Sequence, residues 1–148
     1  MAIDPDALVG RWELLSWEAV DDDGQVTHPF GERPRGLIVC LADGWAAAQI
    51  AASDRPERVG DPATAPDEQR ARAYGTYLAY AGPYEIRGDT VVIRAQVSLY
   101  PEFLGAEQVR QVEFRDGDLV LRTPRVPLGG QAAVHELRWR RAGTVPAS

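Results

Sequence analysis

Gln108 and Arg110 lie two residues apart in the run Glu107-Gln-Val-Arg-Gln-Val-Glu-Phe-Arg115, and His135 lies in a second run of similar pattern, Ala133-Val-His-Glu-Leu-Arg-Trp-Arg-Arg141. In an extended strand residues two apart share a face. An arginine, an amide and an imidazole, together with Tyr84 from a third such run, can therefore gather on one side of a sheet. A guanidinium in apolar surroundings can anchor a carboxylate, enolate or carbonyl oxygen through charge-assisted hydrogen bonds, and Gln108 would support it. An imidazole there can act as a general base or touch a ligand. If the chain is an enzyme, His135, Arg110 and Tyr84 are the candidates for catalysis. Each has a plainer reading: Arg110 as a rim residue paired with Glu102 or Glu107, His135 as a core histidine bonded to a neighbour, and Tyr84 as a buried phenol with a local partner. His28, ahead of Pro29 in a turn-like stretch, reads as a surface residue.

The elements that would position these groups follow from hairpin registers. With Asp116-Gly117 at the centre of a two-residue turn, Phe114 faces Leu119, Val112 faces Leu121 and Arg110 faces Thr123. That face is apolar near the turn and becomes polar at Arg110 and Gln108. With Gly88-Asp89 central, Ile86 faces Val91 and Tyr84 faces Ile93, which sends Ile93 inward and Arg94 outward. In the last run His135, Leu137 and Trp139 face inward. Ala46, Ala47 and Ala48, set opposite Leu37, Val39 and Leu41, would thin one wall and leave room for a cavity.

Further turn signals at Asp22-Asp-Gly24, Asp43-Gly44 and Gly129-Gly130 complete an all-β rhythm. One helix interrupts it, within Thr64 to Leu78, with a capping-type start at Thr64 and with Tyr74, Tyr77 and Leu78 on one face. Several antiparallel hairpins, each apolar on one side, lose their exposed edges by closing into a barrel, and about eight strands leave room for one small ligand. The segment Tyr100-Pro-Glu-Phe-Leu104 is apolar for a loop. It is expected to fold over the barrel mouth beside the helix carrying Tyr74 and Tyr77, with Phe103 against the ligand.

Composition bounds the function. A chain of 148 residues that is 45% hydrophobic suits one domain, assigned to residues 8–141, and a net charge of −6 excludes a phosphate-backbone partner that needs a basic face. Cys40, the single cysteine, sits in an apolar run and reads as a small buried hydrophobe. No run approaches the length of a membrane span and the N-terminus lacks a leader pattern, so a soluble, cytoplasmic protein without a membrane partner is expected. Two distant histidines make a poor metal site, and neither a phosphate-binding glycine loop nor a Gly-x-Ser-x-Gly elbow occurs, so action without a cofactor is expected.

Leu8-Val-Gly-Arg-Trp-Glu-Leu-Leu-Ser-Trp-Glu18 resembles the Gly-x-Trp first strand of lipocalins. His28-Pro-Phe-Gly-Glu-Arg-Pro-Arg-Gly36, Asp43-Gly44 and Ser98 to Arg110 resemble the bacterial and fungal lipocalin-like domain family. The resemblance, running from about Leu8 to Arg141, implies an antiparallel up-and-down, calycin-type barrel around a small-molecule cavity, with one short helix near its mouth. It also implies that Trp12 closes one end beneath an arginine of the final strand, Arg138 or Arg140. Some members of the family are associated with polyketide or other natural-product pathways. The family pattern often places histidines where this chain has Ile93 and Arg94, so that imidazole is absent here.

Three readings of function stand at this point. The chain binds a small, largely apolar metabolite with one polar end, or it is a cofactor-free cyclase, isomerase or dehydratase acting on a polyketide-like or terpenoid-like intermediate. Otherwise, its barrel is filled by its own side chains and it is an interaction module.

Overall fold

The computed structural model describes residues 2–58, 60–128 and 131–144, so the expected Gly129-Gly130 turn lies outside it. Eleven strands run in chain order: β1 Gly10–Asp21, β2 Val26–Thr27, β3 Arg35–Cys40, β4 Trp45–Ala51, β5 Tyr77–Arg87, β6 Thr90–Arg94, β7 Val97–Ser98, β8 Glu107–Arg115, β9 Asp118–Arg122, β10 Val126–Leu128 and β11 Gln131–Arg141. Eight of them form a closed antiparallel barrel in the order β1, β3, β4, β5, β6, β8, β9 and β11, with β11 pairing back onto β1. The short β2, β7 and β10 lie off this ring, paired with β1, β5 and β11.

The two hairpin registers read from the turns are the ones formed. Val112 pairs with Leu121 and Phe114 with Leu119, with Asp116 and Gly117 both at positive φ as a two-residue primed turn requires. Tyr84 pairs with Ile93 and Ile86 with Val91. The β3–β4 hairpin differs by one residue from expectation: Ile38 and Cys40 face the core opposite Ala48 and Ala46, whereas Leu37 and Val39 are half-buried and Leu41 is exposed. One residue of slip inverts every side chain.

One end of the barrel is plugged. The short helix α1, Pro5–Leu8, starts on Asp4, whose side chain accepts from the Asp6 amide, and it delivers Leu8 into the core. Trp12, 1% exposed, donates its indole N–H to Leu8 O at 3.0 Å. The cation above it is Arg141, at 4.2 Å from the ring centroid, and not Arg138 or Arg140. Alternation explains this: Arg141 shares parity with the inward Trp139, while Arg138 pairs outside with Asp118 and Arg140 with Glu13. The same guanidinium donates to Ala7 O and Val9 O, tying the last strand to the plug.

A bulge in β1 between Leu14 and Ser16 decides what reaches the other end. Below it Trp12 and Leu14 point inward; above it the parity switches, so Trp17 and Ala19 do. On the outer face Val120 is fully buried beneath Arg115 and Arg122, which share Glu113 and Glu136. Long arginine stems cover the valine while their charged heads stay in water.

The helix is shorter than expected. A 3-10 turn spans Pro62–Thr64 and α2 spans Asp67–Gly75, so Thr64 does not cap α2, and Tyr77 and Leu78 belong to β5. A glycine followed by the β-branched Thr76 ends it, with the Thr76 hydroxyl donating back to Arg72 O.

Candidate ligand cavity

A cavity of about 390 Å³ opens at the end of the barrel opposite the Trp12 plug. Trp17, Ile38, Ala48, Ile50, Leu78, Leu121, Leu137 and Trp139 line its apolar wall. Ala48 supplies part of the room, because it faces in where its ladder neighbours Ile38 and Tyr80 are large. Phe103, Pro124, Val126 and Pro127 stand at the mouth. A side-chain pair between Arg125 and Asp22 holds the β10 arm there.

Phe103 is held by a relay of aromatic edges. Tyr74 on α2 packs against Tyr100 at 5.0 Å, Tyr100 against Phe103 at 5.5 Å, and Phe103 against Tyr80 at 5.8 Å. The Tyr100 hydroxyl donates to Tyr77 O at 2.6 Å. The apolar loop thus does meet the helix over the mouth through Tyr100 and Phe103, while Leu104 is 49% exposed and covers nothing. Tyr74 is exposed and reaches the cavity only through this relay. Tyr77 turns its ring to the Arg55 guanidinium, outside the cavity.

The polar arc of the cavity comes from three neighbouring strands at one level. Gln108 and Arg110 project from β8, Thr123 follows β9, and His135 projects from β11. His135 and Gln108 are the buried polar side chains among the described residues. The Trp17 indole donates to His135 Nδ1 at 2.9 Å. An indole N–H can only donate, so Nδ1 must accept, and the neutral imidazole carries its proton on Nε2. That Nε2 is buried and has no partner among the described residues, and neither has Trp139 Nε1.

Among the described residues Arg110 bonds neutral acceptors alone, Val109 O at 2.8 Å and Gln108 Oε1 at 3.2 Å. Among the described residues no carboxylate pairs with it, and the expected pairing with Glu102 or Glu107 does not form. Glu107 is engaged instead by Arg87 at 3.0 Å and Arg94 at 3.4 Å on the outer surface. Burial, and then the Arg110 charge, push the His135 pKa below its ordinary value of 6.5. A depressed histidine pKa means the unfolded chain takes up the proton first, so stability is full above pH 6.5 and falls as the pH drops through the folded value. The melting temperature should therefore decline as the pH falls below about 6.5, ahead of the range in which most carboxylates titrate, and His135→Phe should flatten that decline.

Besides Tyr74 and Tyr77, two more expected site residues, Tyr84 and Ile93, are not brought to this cavity. Tyr84 sits toward the plugged end, where its hydroxyl donates to Leu41 O at 2.8 Å. Ile93 packs in the core beside it, 2% exposed. Their face was right, and the register sets Tyr84 opposite Ile93 and Ile93 opposite Gln108, yet neither lines the cavity, because tilted strands stagger successive ladder partners along the barrel axis. His28 is exposed, with its carbonyl closing the turn to Gly31. Trp17, Tyr80 and Trp139 line the cavity without having been singled out. Tyr80 could have been found by alternation, for it is an even-numbered residue on the Gly82 face of β5. Among the described residues no three His, Cys, Asp or Glu side chains gather as metal ligands would, and Cys40 is a buried thiol pushed up to about 11 by desolvation.

The family model for the lipocalin-like domain matches residues 9–142. The chain belongs to the lipocalin-like domain family. A lipocalin-like protein from Bacteroides uniformis of known crystal structure is 16% identical, with 92% of this chain and 99% of that chain covered at a TM-score of 0.45. No curated protein matches the chain. Lipocalin-like membership agrees with the closed barrel, the tryptophan on its first strand and the arginine stacked over it. No helix among the described residues is long and apolar enough to cross a membrane.

Proposed function

We propose that this lipocalin-like protein binds one small, largely apolar metabolite with a polar end inside its barrel. The observation that carries the reading is the cavity of about 390 Å³, apolar on most of its wall and polar on one arc. That volume lies toward the small end of ligand sites, which span about 300–1,000 Å³. An interior filled by its own side chains would have no such space, which weighs against a pure interaction module.

The alternative is a cofactor-free cyclase, isomerase or dehydratase acting on a polyketide-like or terpenoid-like intermediate. A base is what such proton-moving chemistry needs first, and the arc offers none: His135 presents Nε2–H while its accepting nitrogen is occupied by Trp17. Holding a ligand is therefore favoured over turning one over. Under either reading the residues proposed to meet the bound molecule are Arg110, Gln108, His135 and Phe103. Tyr84, Tyr74, Tyr77 and Ile93 act, if at all, from behind the wall.

The test is titration with the apolar fluorophore N-phenyl-1-naphthylamine. One saturable site is expected in the unaltered protein. Ala48→Phe, which places a ring in the cavity, should weaken that binding at least tenfold while leaving the melting temperature within a few degrees. Absence of saturable binding, or full binding by a folded Ala48→Phe variant, would contradict the reading.

A further inference from the structure

We infer that the polar end of the ligand is an anionic oxygen acceptor, a carboxylate in the simplest case, because Gln108, Arg110, Thr123 and His135 offer donors and positive charge to which no carboxylate among the described residues is bonded. This deepens the reading that the cavity holds a ligand and rests on it.

His135 and Arg110 can only donate into the cavity, and Gln108 and Thr123 have donors to add. His135 is 4% exposed and its Nδ1 accepts from Trp17, so Nε2 carries the hydrogen and faces no partner. Gln108 is 9% exposed, and its amide oxygen accepts from Arg110, which turns its two N–H donors to the free side. Arg110 has five N–H donors and no acceptor, and the two bonds it makes go to a carbonyl and an amide, neither of which neutralises it. Thr123 Oγ1 accepts from the His135 amide at 2.9 Å and keeps its hydroxyl hydrogen available to give. An orphaned buried donor and a guanidinium beside apolar walls are both costly, and one carboxylate relieves both.

A head group that donates would fail here for the same reason. An ammonium would meet Arg110 and three sets of N–H or O–H hydrogens, and an alcohol would supply one acceptor and no charge. Glu107 also borders the cavity, but its carboxylate does not take the place of the ligand, since Arg87 and Arg94 engage it on the outer face.

The experiment compares decanoic acid, decan-1-ol and decylamine as competitors of N-phenyl-1-naphthylamine at pH 7.5. Decanoic acid should bind at least tenfold more tightly than decan-1-ol, with decylamine weaker still. Arg110→Met, which keeps the stem and removes the charge, should weaken decanoic acid by about 10- to 100-fold and decan-1-ol by far less, so that the preference for the acid collapses. Equal binding of acid and alcohol by the unaltered protein, or tighter binding of the amine, would overturn the anionic head group and leave the cavity standing; so would unchanged acid binding by a folded Arg110→Met variant. Failure of all three to displace a saturably bound fluorophore would also overturn it, and failure of the fluorophore itself to bind would remove the ligand cavity and this inference together.

Discussion

Trp12→Ala should be the most destabilising single truncation at the plugged end, with a loss of about 3–5 kcal/mol. The ring is 1% exposed, tilts against Phe114 at 6.3 Å and lies under the Arg141 guanidinium. Its removal would open a void between the ladders of β1 and β11, leave Leu8 O without its donor, and take from Arg141 the surface on which it rests. A domain of this size is stabilised by about 5–15 kcal/mol in total, so about a fifth or more of the margin is at stake. Urea unfolding of the two proteins measures it directly, and a loss below about 1 kcal/mol would show that α1 and Arg141 seal the barrel without the ring.

Gly82→Ala should cost about 3 kcal/mol or more, for the opposite reason. A methyl group at Gly82 would land on the Arg94 carbonyl, 2.8 Å from its carbon and 3.2 Å from Ala95 Cα. The obstacle is backbone, which cannot swing aside as a side chain would, so the overpacking cost sits at or above the upper end of its usual range of about 1–3 kcal/mol. The close approach has a purpose in the fold. Just beyond Arg94 the chain crosses β5, with the Gln96 amide donating to Ala81 O at 2.8 Å, and then reaches β7 and the loop that carries Phe103 to the mouth. Poor expression or a lowered melting temperature would agree with this; a melting temperature within about 2 °C of the unaltered protein would not.

Much of the barrel was legible because two turns announce themselves. Asp116-Gly117 and Gly88-Asp89 fix their hairpins residue by residue, and from those registers the inward parity of Gln108, Arg110, Ile93 and Tyr84 follows. Depth was not legible, since alternation gives a face and says nothing of which end of the barrel a residue stands near. Tyr84 and Ile93 therefore share the face of the cavity residues without reaching the cavity. Trp17 was hidden for another reason: strict alternation from Trp12 sends it outward, and the bulge at Leu14/Ser16 that turns it inward leaves no mark in the residue pattern. Without Trp17 the tautomer of His135 was open, and so was the choice between a base and a donor.

Helix α2 shows a third limit. Tyr74, Tyr77 and Leu78 have helical spacing, yet Gly75 and Thr76 end the helix between them and β5 claims Tyr77 for its ladder with Ala51. Local periodicity yielded to strand pairing.

The central claim is that the barrel encloses room for a ligand, and native mass spectrometry of protein purified gently from its own cells tests it most directly. The expected spectrum shows a one-to-one adduct of a small molecule that is released on denaturation and that Ala48→Phe does not carry. A spectrum of bare protein alone, even after incubation with a lipid extract of the same cells, would contradict it.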